Sequence, residues 1–204
     1  MEKFLVTIDG PSGVGKTSVG KNIATILNSC FFSSGSIYRS VAKFLLNNKN
    51  AQIEDLKIEI VSEQCYVNGV IFDEEDLYDN EVSVKSSEIA KKVGLRILVK
   101  DCLISYFDNL DKPLVIEGRD MGSVVFPDAE YKVYLDADLE TRGKRREGQS
   151  NMEETVLDVK KRDFEDKNRV FSPLTIPEGA LVVDNSNLSI DETIELIIKN
   201  LKLQ

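Results

Sequence analysis

Residues 4–17 read FLVTIDGPSGVGKT, and this stretch decides the fold class. A strand-like apolar run over residues 3 to 8 leads into a glycine-rich loop, and apolar positions recur at helical spacing from Lys16 onward. The loop fits the pattern of Gly, four residues, Gly, Lys and Ser or Thr, and it lies between a predicted strand and a predicted helix. The pattern and its context together predict a phosphate-binding P-loop.

A P-loop binds polyphosphate mainly through its backbone. The glycines let the chain curl so that N–H groups face an anion, and the helix that follows adds the positive end of its dipole. Lys16 is expected to reach the β- and γ-phosphates of ATP, and the Thr17 hydroxyl is expected to bind Mg²⁺. The predicted ATP-binding residues are Gly10, Pro11, Ser12, Gly13, Val14, Gly15, Lys16 and Thr17.

Short apolar runs alternate with helix-like stretches along the rest of the chain, which is typical of a parallel sheet covered by helices on both faces. We therefore predict an α/β fold with three layers, α/β/α, and about five parallel strands. Residues 51–84 interrupt the alternation and are predicted to form a small antiparallel insertion that turns at Asn68-Gly69. Further strands are predicted at residues 30–32, 114–116, 131–135 and 180–183, and further helices at 37–46, 86–110, 152–168 and 190–201.

Composition restricts the class of protein. The chain has 204 residues, a size typical of one domain, and a net charge of −9, which argues against nonspecific nucleic-acid binding. No stretch is apolar enough to cross a bilayer, and no leader segment precedes the first strand, so a cytoplasmic location and no membrane partner are expected. The 3 cysteines form no Cys-x-x-Cys pair. We expect a monomer whose partners are small-molecule nucleotides.

The basic residues point to a phosphorylated ligand. Nine of the 26 Lys and Arg residues lie between Arg142 and Arg169, in an otherwise acidic chain. Arginine suits phosphoryl transfer because it is permanently charged and binds phosphate oxygens in pairs. If the helix predicted at 152–168 continues through Arg169, then Arg162, Asp166 and Arg169 lie on one face of it, which favours a ligand site. An ion pair within the helix is the alternative interpretation.

The acceptor of the phosphoryl group is restricted by the absence of histidine. Histidine is the commonest general base, and in its absence a hydroxyl acceptor would need a positioned carboxylate instead. A monophosphate has a second pKa of about 6 and is largely dianionic at neutral pH, so its oxygen attacks without deprotonation. The chain has no Asn-Lys-x-Asp motif for reading guanine and no assignable switch pattern, which makes a regulatory GTPase a weak alternative.

Four groups of residues resemble bacterial cytidylate kinases, in order and at similar spacing. They are Asp9 through Thr17, Ser34 through Arg39, Glu117 through Gly122 with Val125 through Ala129, and Arg162-Asp163 through Asp166 to Asn168-Arg169. The similarity spans nearly the whole chain. The second and third groups are specific to that family, whereas many unrelated enzymes share the P-loop.

The resemblance implies a nucleoside monophosphate kinase that transfers the γ-phosphoryl group of MgATP to CMP or dCMP. It implies one domain over residues 1–204, with a core at 1–33, 111–146 and 158–204, a monophosphate-binding region at about 34–110 that includes the insertion, and a short lid near 147–157. The residues implied to bind the monophosphate are Ser34, Arg39, Arg119, Asp120, Arg162, Asp166 and Arg169. Those implied to act on the transferring phosphoryl group are Lys16, Arg142, Arg145, Arg146, Arg162 and Arg169.

Two of these assignments have structural alternatives. Glu117 ends a predicted strand where related kinases often place Asp near magnesium, so Thr17 and Glu117 are the expected Mg²⁺ ligands. A strand-end ion pair between Glu117 and Arg119 is the alternative. Ser34 could instead cap the second helix.

The region after the insertion departs from the family pattern. An arginine and a serine that help to hold the base and sugar are expected there, and a rough alignment places Ser83 and Lys91 at those positions. Lys85, Ser86 or Ser87 could substitute. The alternatives to a CMP kinase are a P-loop kinase for another acceptor, such as UMP or shikimate, and a regulator that binds ATP without transferring phosphate.

Replacement of Lys16 by alanine is expected to abolish phosphoryl transfer and leave the fold intact, because Lys16 acts on phosphate oxygens and is not part of the predicted core. A kinase assay and a circular dichroism melt of the same preparation test this. Loss of the cooperative melt in Lys16→Ala would contradict the assignment.

Overall fold

The structure is a computed structural model that describes residues 3–147 and 156–202. Two compact units are present, one formed by the described residues up to Phe32 and from Asp111 onward, the other by Ser33–Leu110. The elements in chain order are β1 Leu5–Asp9, α1 Lys16–Ile26, β2 Cys30–Ser33, α2 Ser34–Asn47, β3 Ile58–Val61, β4 Gln64–Val67, α3 Glu74–Leu77, α4 Asn80–Ile89, α5 Val93–Asp108, β5 Leu114–Gly118, β6 Tyr131–Asp136, α6 Leu139–Glu147, α7 Val156–Lys167, β7 Leu181–Asp184 and α8 Ile190–Leu201.

A parallel sheet of five strands, in the order β2-β5-β1-β6-β7, confirms the predicted α/β fold. All five residues of β1 and all five of β5 are buried, as expected for central strands that are covered on both faces. The core on one side of the sheet joins Ile8 and Val133 to Ile23 of α1 and Ile197 of α8. The sheet with its flanking helices therefore forms a scaffold for the loops at its edges.

The register of the central strands places two of the predicted motifs side by side. Asp9, the last residue of β1, is paired with Gly118, the last residue of β5. The carboxyl ends of neighbouring parallel strands lie at the same edge of a sheet, and ligands of α/β proteins bind beyond that edge. The P-loop after β1 and the segment from Arg119 onward after β5 are therefore neighbours.

The second unit packs helices around a two-stranded antiparallel sheet. Helix α2 packs against α4 and β4, and α5 packs against β3. Ile37 and Val41 of α2 and Val99 and Leu103 of α5 are almost fully buried. The small sheet predicted for the insertion is thus present, and it covers apolar faces of helices within its own unit.

The turn of this small sheet differs from the prediction. Strands β3 and β4 are joined at Ser62 and Glu63, which both have positive φ angles, of 49° and 63°. Asn68 and Gly69 form a separate tight turn, with φ angles of 49° and 78°, that closes only an isolated bridge between Val67 and Val70. The Asn-Gly signal was correct for a turn and wrong for the position of the hairpin.

Three predicted helices also differ from the structure. The helix predicted at 86–110 is two helices, α4 and α5, separated by residues 90–92. Helix α7 ends at Lys167, so Arg169 does not share a helical face with Arg162. Helix α2 begins at Ser34 with Ser33 as its N-cap, so Ser34 is not the cap. Residues 148–155 of the predicted lid lie outside the described residues.

The last helix matches its prediction. Ser189 and Glu192 form a capping box, in which each side chain bonds the backbone N–H of the other residue. None of the helices in the described ranges combines the length and the apolar character that a membrane crossing requires.

Candidate active site

The P-loop follows β1 and has a backbone that only glycine adopts easily. Gly10, Gly13 and Gly15 have φ angles of 150°, 79° and 86°. A Cβ atom on Gly10 would lie 2.2 Å from the carbonyl oxygen of Leu135, and one on Gly13 would lie 2.7 Å from that of Arg142. The loop is therefore packed closely against β6 and α6, and its curled path depends on these glycines.

Lys16 begins α1, and its side chain lies over the start of the P-loop. The ammonium nitrogen donates to the carbonyl oxygens of Gly10 at 2.9 Å and Pro11 at 2.7 Å. Burial lowers the pKa of Lys16 well below its usual value, and the nearby positive charge of Arg119 lowers it further. A bound polyphosphate would favour the charged ammonium, because it would add negative charge beside a buried cation.

Thr17 and Glu117 are brought together, as expected of the predicted Mg²⁺ ligands. The Thr17 hydroxyl donates to Oε1 of Glu117 at 3.2 Å, and Glu117 lies at the buried end of β5. Within residues 3–147 and 156–202, no group of three or more acidic, cysteine or histidine side chains is arranged to hold a metal. A hydroxyl and one carboxylate still suit Mg²⁺, which keeps several waters and takes its other ligands from phosphates.

Arg119 connects the P-loop to α7. Its Nε donates to Oδ2 of Asp166 at 2.9 Å, and its Nη1 donates to the Gly10 carbonyl at 3.1 Å. Nη1 of Arg169 lies 3.4 Å from Oδ1 of Asp166, so this carboxylate joins two arginines even though α7 ends before Arg169. Burial opposes the charge of Asp166, but Arg119, Arg169 and then Arg162 outweigh it and hold the pKa of Asp166 below its usual value.

The pKa of Arg119 responds to the same contacts. Burial tends to lower it, but the charge of Asp166 and the hydrogen bond to it raise the pKa of Arg119 above its usual value. Arg119 therefore lies as a fixed cation next to the P-loop, balanced in part by Asp166 and by the nearby Glu117 and Asp163.

Asp9 adjoins the P-loop in sequence, and Asp120 adjoins Arg119. The carboxylate of Asp9, at the end of β1, accepts hydrogen bonds from the backbone N–H groups of Met121 at 2.8 Å and Gly122 at 2.7 Å. Asp120 is buried in the same segment. Asp9 thereby fixes the segment that carries Arg119 to the strand that carries the P-loop.

Arg142 lies on α6 and is buried. Its guanidinium donates to Asp163 of α7 at 2.5 Å, to the carbonyl of Ser12 at 3.1 Å and to the carbonyl of Ala137 at 2.9 Å. These contacts place Arg142 against the backbone of the P-loop. Its role in acting on the transferring phosphoryl group stays a prediction.

Arg145, one turn of α6 further on, borders a cavity of about 240 Å³ next to the first turn of α1. The guanidinium of Arg145 donates to the side-chain and backbone oxygens of Asn185, both at 2.9 Å. The walls include Val14, Lys144 and Leu188. Arg146 is half-buried on the same helix, next to Arg145. The cavity was not predicted, because its walls come from segments far apart in sequence.

The second unit contains Ser34 and Arg39, the remaining residues predicted to bind a monophosphate. Ser34 is buried in the first turn of α2. Nη1 of Arg39 donates to the Ser83 hydroxyl at 2.8 Å and to the Leu77 carbonyl at 3.1 Å, and its guanidinium lies 4.6 Å from the centre of the Tyr78 ring. Ser83, noted as a departure from the family pattern, therefore orients a predicted ligand-binding arginine.

Arg96 is a candidate residue that the sequence reasoning missed. It lies on the buried face of α5, with only 5% of its surface exposed, and its Nε donates to the Ala90 carbonyl at 2.7 Å. Its guanidinium lies 5.5 Å from the centre of the ring of Tyr38, the residue that precedes the predicted Arg39 in sequence. Lys91 is exposed. A charge on the apolar stripe formed by Val99 and Leu103 is the signal that could have identified Arg96.

Comparisons with known proteins identify a family that this chain resembles over nearly its full length. A family model described as cytidylate kinase matches residues 6–203. A cytidylate kinase of Thermodesulfovibrio yellowstonii is 36% identical, covering 97% of this chain and 97% of that protein. A cytidylate kinase of Mycoplasmopsis pulmonis is 34% identical, covering 95% of this chain and 93% of that protein.

Solved structures share the fold at low sequence identity. A gluconokinase from Sinorhizobium meliloti matches with a TM-score of 0.57 and 13% identity, covering 98% of this chain and 94% of that one. The tunicamycin resistance protein of Deinococcus radiodurans matches with a TM-score of 0.54 and 17% identity, covering 100% of this chain and 98% of that one. At these identities the likeness shows the fold alone.

Asp9 is expected to make stability depend on pH. Burial raises its pKa from 3.8 to about 7. Asp120 raises it further, whereas the Gly122 and Met121 hydrogen bonds and Lys16 oppose the rise. Between about pH 4 and pH 7 the native state holds a proton that the unfolded state releases, so the Asp9 contribution falls as pH rises.

The urea midpoint of the wild type, relative to that of Asp9→Asn, should therefore decrease from pH 4.5 to pH 7.5. The asparagine variant loses one backbone hydrogen bond at every pH, which shifts its urea midpoint by a constant amount. The informative quantity is therefore the change with pH in the difference between the two midpoints. A difference that stays constant over this range would show that Asp9 does not titrate there.

Proposed function

The chain belongs to the cytidylate kinase family, and we propose that it transfers the γ-phosphoryl group of ATP to CMP or dCMP, giving ADP and CDP or dCDP. The observation that carries the proposal is the position of Arg119, which bonds both the P-loop and Asp166. A P-loop accounts for a donor polyphosphate, and cations fixed beside it account for a second phosphate that must approach the first against charge repulsion.

The donor is proposed to bind along the P-loop. Backbone N–H groups and the N-terminus of α1 face its phosphates, and Lys16 moves from the loop carbonyls to the β- and γ-phosphate oxygens. The cavity beside Arg145 has a suitable size and position for the base of ATP. Mg²⁺ would be held by Thr17 and by Glu117, directly or through water, and would neutralise charge on the phosphates.

Two sets of residues are proposed to bind the acceptor. In the first unit, Arg119, Arg162 and Arg169 hold its phosphate, and Asp166 and Asp120 accept from its polar groups. In the second unit, Ser34 and Arg39 take part, and Arg96 provides the arginine that was expected near Lys91. Arg96 is the better candidate because it is buried and held over an aromatic ring, whereas Lys91 is exposed.

We propose a different role for each of the three arginines on α6. Arg142 is proposed to act on the reaction by holding the Ser12 carbonyl of the P-loop. Arg145 is proposed to border the donor base, and Arg146 to reach the transferring phosphoryl group. The protein is proposed to act as a monomer of one kinase domain, in which closure of a lid excludes water.

The alternatives are less well supported. Curated relatives that match nearly the full chain carry the name cytidylate kinase, which does not favour another acceptor such as shikimate. A regulator that binds ATP without transfer would need no arginine and carboxylate network beside its P-loop. The absence of histidine also suits an acceptor that is already anionic.

An assay of ADP release with MgATP and a panel of acceptors tests the proposed function. We expect CMP or dCMP to be preferred over UMP, dTMP, AMP, GMP and shikimate, and ATP hydrolysis without an acceptor to be slow. Activity with none of these acceptors, or ATPase rates that are equal with and without CMP, would refute the proposal.

Replacement of Arg96 by alanine is expected to raise the KM for CMP by about tenfold or more and to leave the KM for ATP within about twofold, since one charge-assisted hydrogen bond contributes about 1.5–3 kcal/mol. Lys91→Ala is the matched control and should change neither KM. Steady-state kinetics with each substrate varied in turn measure both. A larger effect on CMP in Lys91→Ala than in Arg96→Ala would reverse the assignment.

A further inference from the structure

Asn185 lies in the turn between β7 and α8, outside every set of residues predicted from the sequence. It is 3% exposed, although asparagine in such a turn is ordinarily at the surface. Its side-chain nitrogen donates to the carbonyl of Val14 in the P-loop at 2.9 Å, and its side-chain oxygen accepts from Nη1 of Arg145 at 2.9 Å. Its backbone is also bonded on both sides, to Asp136 and to Arg145.

The orientation of this amide is fixed by its partners. A backbone carbonyl only accepts hydrogen bonds, and a guanidinium only donates them. The amide nitrogen must therefore face Val14, and the amide oxygen must face Arg145. A side chain with an oxygen at both positions could satisfy Arg145 but would repel the Val14 carbonyl.

The contact with Val14 controls a peptide plane of the phosphate-binding loop. In a trans peptide the C=O of one residue and the N–H of the next point in opposite directions. With the Val14 carbonyl held toward Asn185, the N–H of Gly15 points to the other side of the loop. Gly15 has a φ angle of 86° and no side chain to restrict rotation, so the contact from Asn185 restricts a plane that the glycine itself leaves free to turn.

A second carbonyl of the loop is held in a similar way. Arg142 donates to the Ser12 carbonyl at 3.1 Å, which directs the N–H of Gly13 away from Arg142. Side chains from outside the loop thus orient two of its peptide planes, Ser12–Gly13 and Val14–Gly15. Asn185 differs from Arg142 in being neutral, so it directs the loop without adding charge.

We propose that Asn185 is a positioning residue for the donor phosphates, which holds the Val14–Gly15 peptide so that the Gly15 N–H faces the polyphosphate. This inference rests on the proposed function, because it assumes that ATP binds at the P-loop. The proposed role of Asn185 is toward the phosphates of the donor. The contact of its amide oxygen with Arg145 is secondary to that role.

The test compares Asn185→Asp with Asn187→Asp. Both variants introduce the same charge into the same turn, but Asn187 is exposed. Asn185→Asp keeps an acceptor for Arg145 and places a carboxylate oxygen against the Val14 carbonyl. Titration calorimetry measures the binding of MgATP and of magnesium tripolyphosphate, which has phosphates but no base, and steady-state kinetics measure KM for ATP and for CMP.

We expect Asn185→Asp to weaken the binding of both MgATP and tripolyphosphate by about tenfold or more, on the scale of one lost hydrogen bond and an added repulsion. The KM for ATP should rise in proportion, and the KM for CMP should stay within about twofold. Asn187→Asp should match the wild type in each measurement. If Asn185→Asp fails to fold by circular dichroism, Asn185→Ala replaces it, with an expected loss of about threefold or more for both ligands.

Three results would overturn the inference. Weaker ATP binding with unchanged tripolyphosphate binding would place the role of Asn185 at the base, through Arg145. Equal losses in KM for ATP and CMP, or equal effects of the two aspartate variants, would indicate general damage or a charge effect. Failure of the wild type to bind MgATP would instead refute the proposed function.

Discussion

The P-loop imposes the constraint on which the rest of the site depends, because N–H groups that face an anion leave carbonyl groups that face the protein. A buried carbonyl without a partner is costly, so each of these groups needs a donor. Lys16 and Arg119 bond Gly10, Arg142 bonds Ser12, and Asn185 bonds Val14. The donors come from the start of α1, the segment after β5, α6 and the turn after β7, so the positions of these elements and the shape of the loop determine each other.

Electrostatics shows why an acidic protein can bind two polyanions. The net charge of −9 belongs to the whole chain, whereas Lys16, Arg119 and Arg142 place cations directly against the backbone of the P-loop. Asp166 and Asp163 pair with Arg119 and Arg142 and reduce the cost of burying them. Lys16 is the exception, because burial disfavours its charge, and phosphate oxygens are proposed to replace the carbonyls that it now contacts.

The sequence predicted the features that depend on local pattern. The P-loop and the capping box at Ser189 consist of residues close in sequence, and the sheet follows from the alternation of apolar runs. Asn185 could not be predicted, since its partner Val14 is 171 positions away. The hairpin turn was misplaced because Ser62-Glu63 adopts the positive φ angles for which Asn-Gly is the usual signal.

Arg96 shows how a candidate binding residue can be hidden by a helix pattern. Its neighbours on the buried face of α5 are apolar, so the segment resembles an ordinary amphipathic helix. A buried guanidinium is tolerated there because the Ala90 carbonyl and the Tyr38 ring take the place of water. Tyr38 lies directly before Arg39 in the motif that the resemblance identified. The unit that carries the insertion thus holds two arginines against aromatic rings, and their hydrogen bonds restrict each side chain before any ligand binds. If both arginines bind the acceptor as proposed, less entropy is lost on binding.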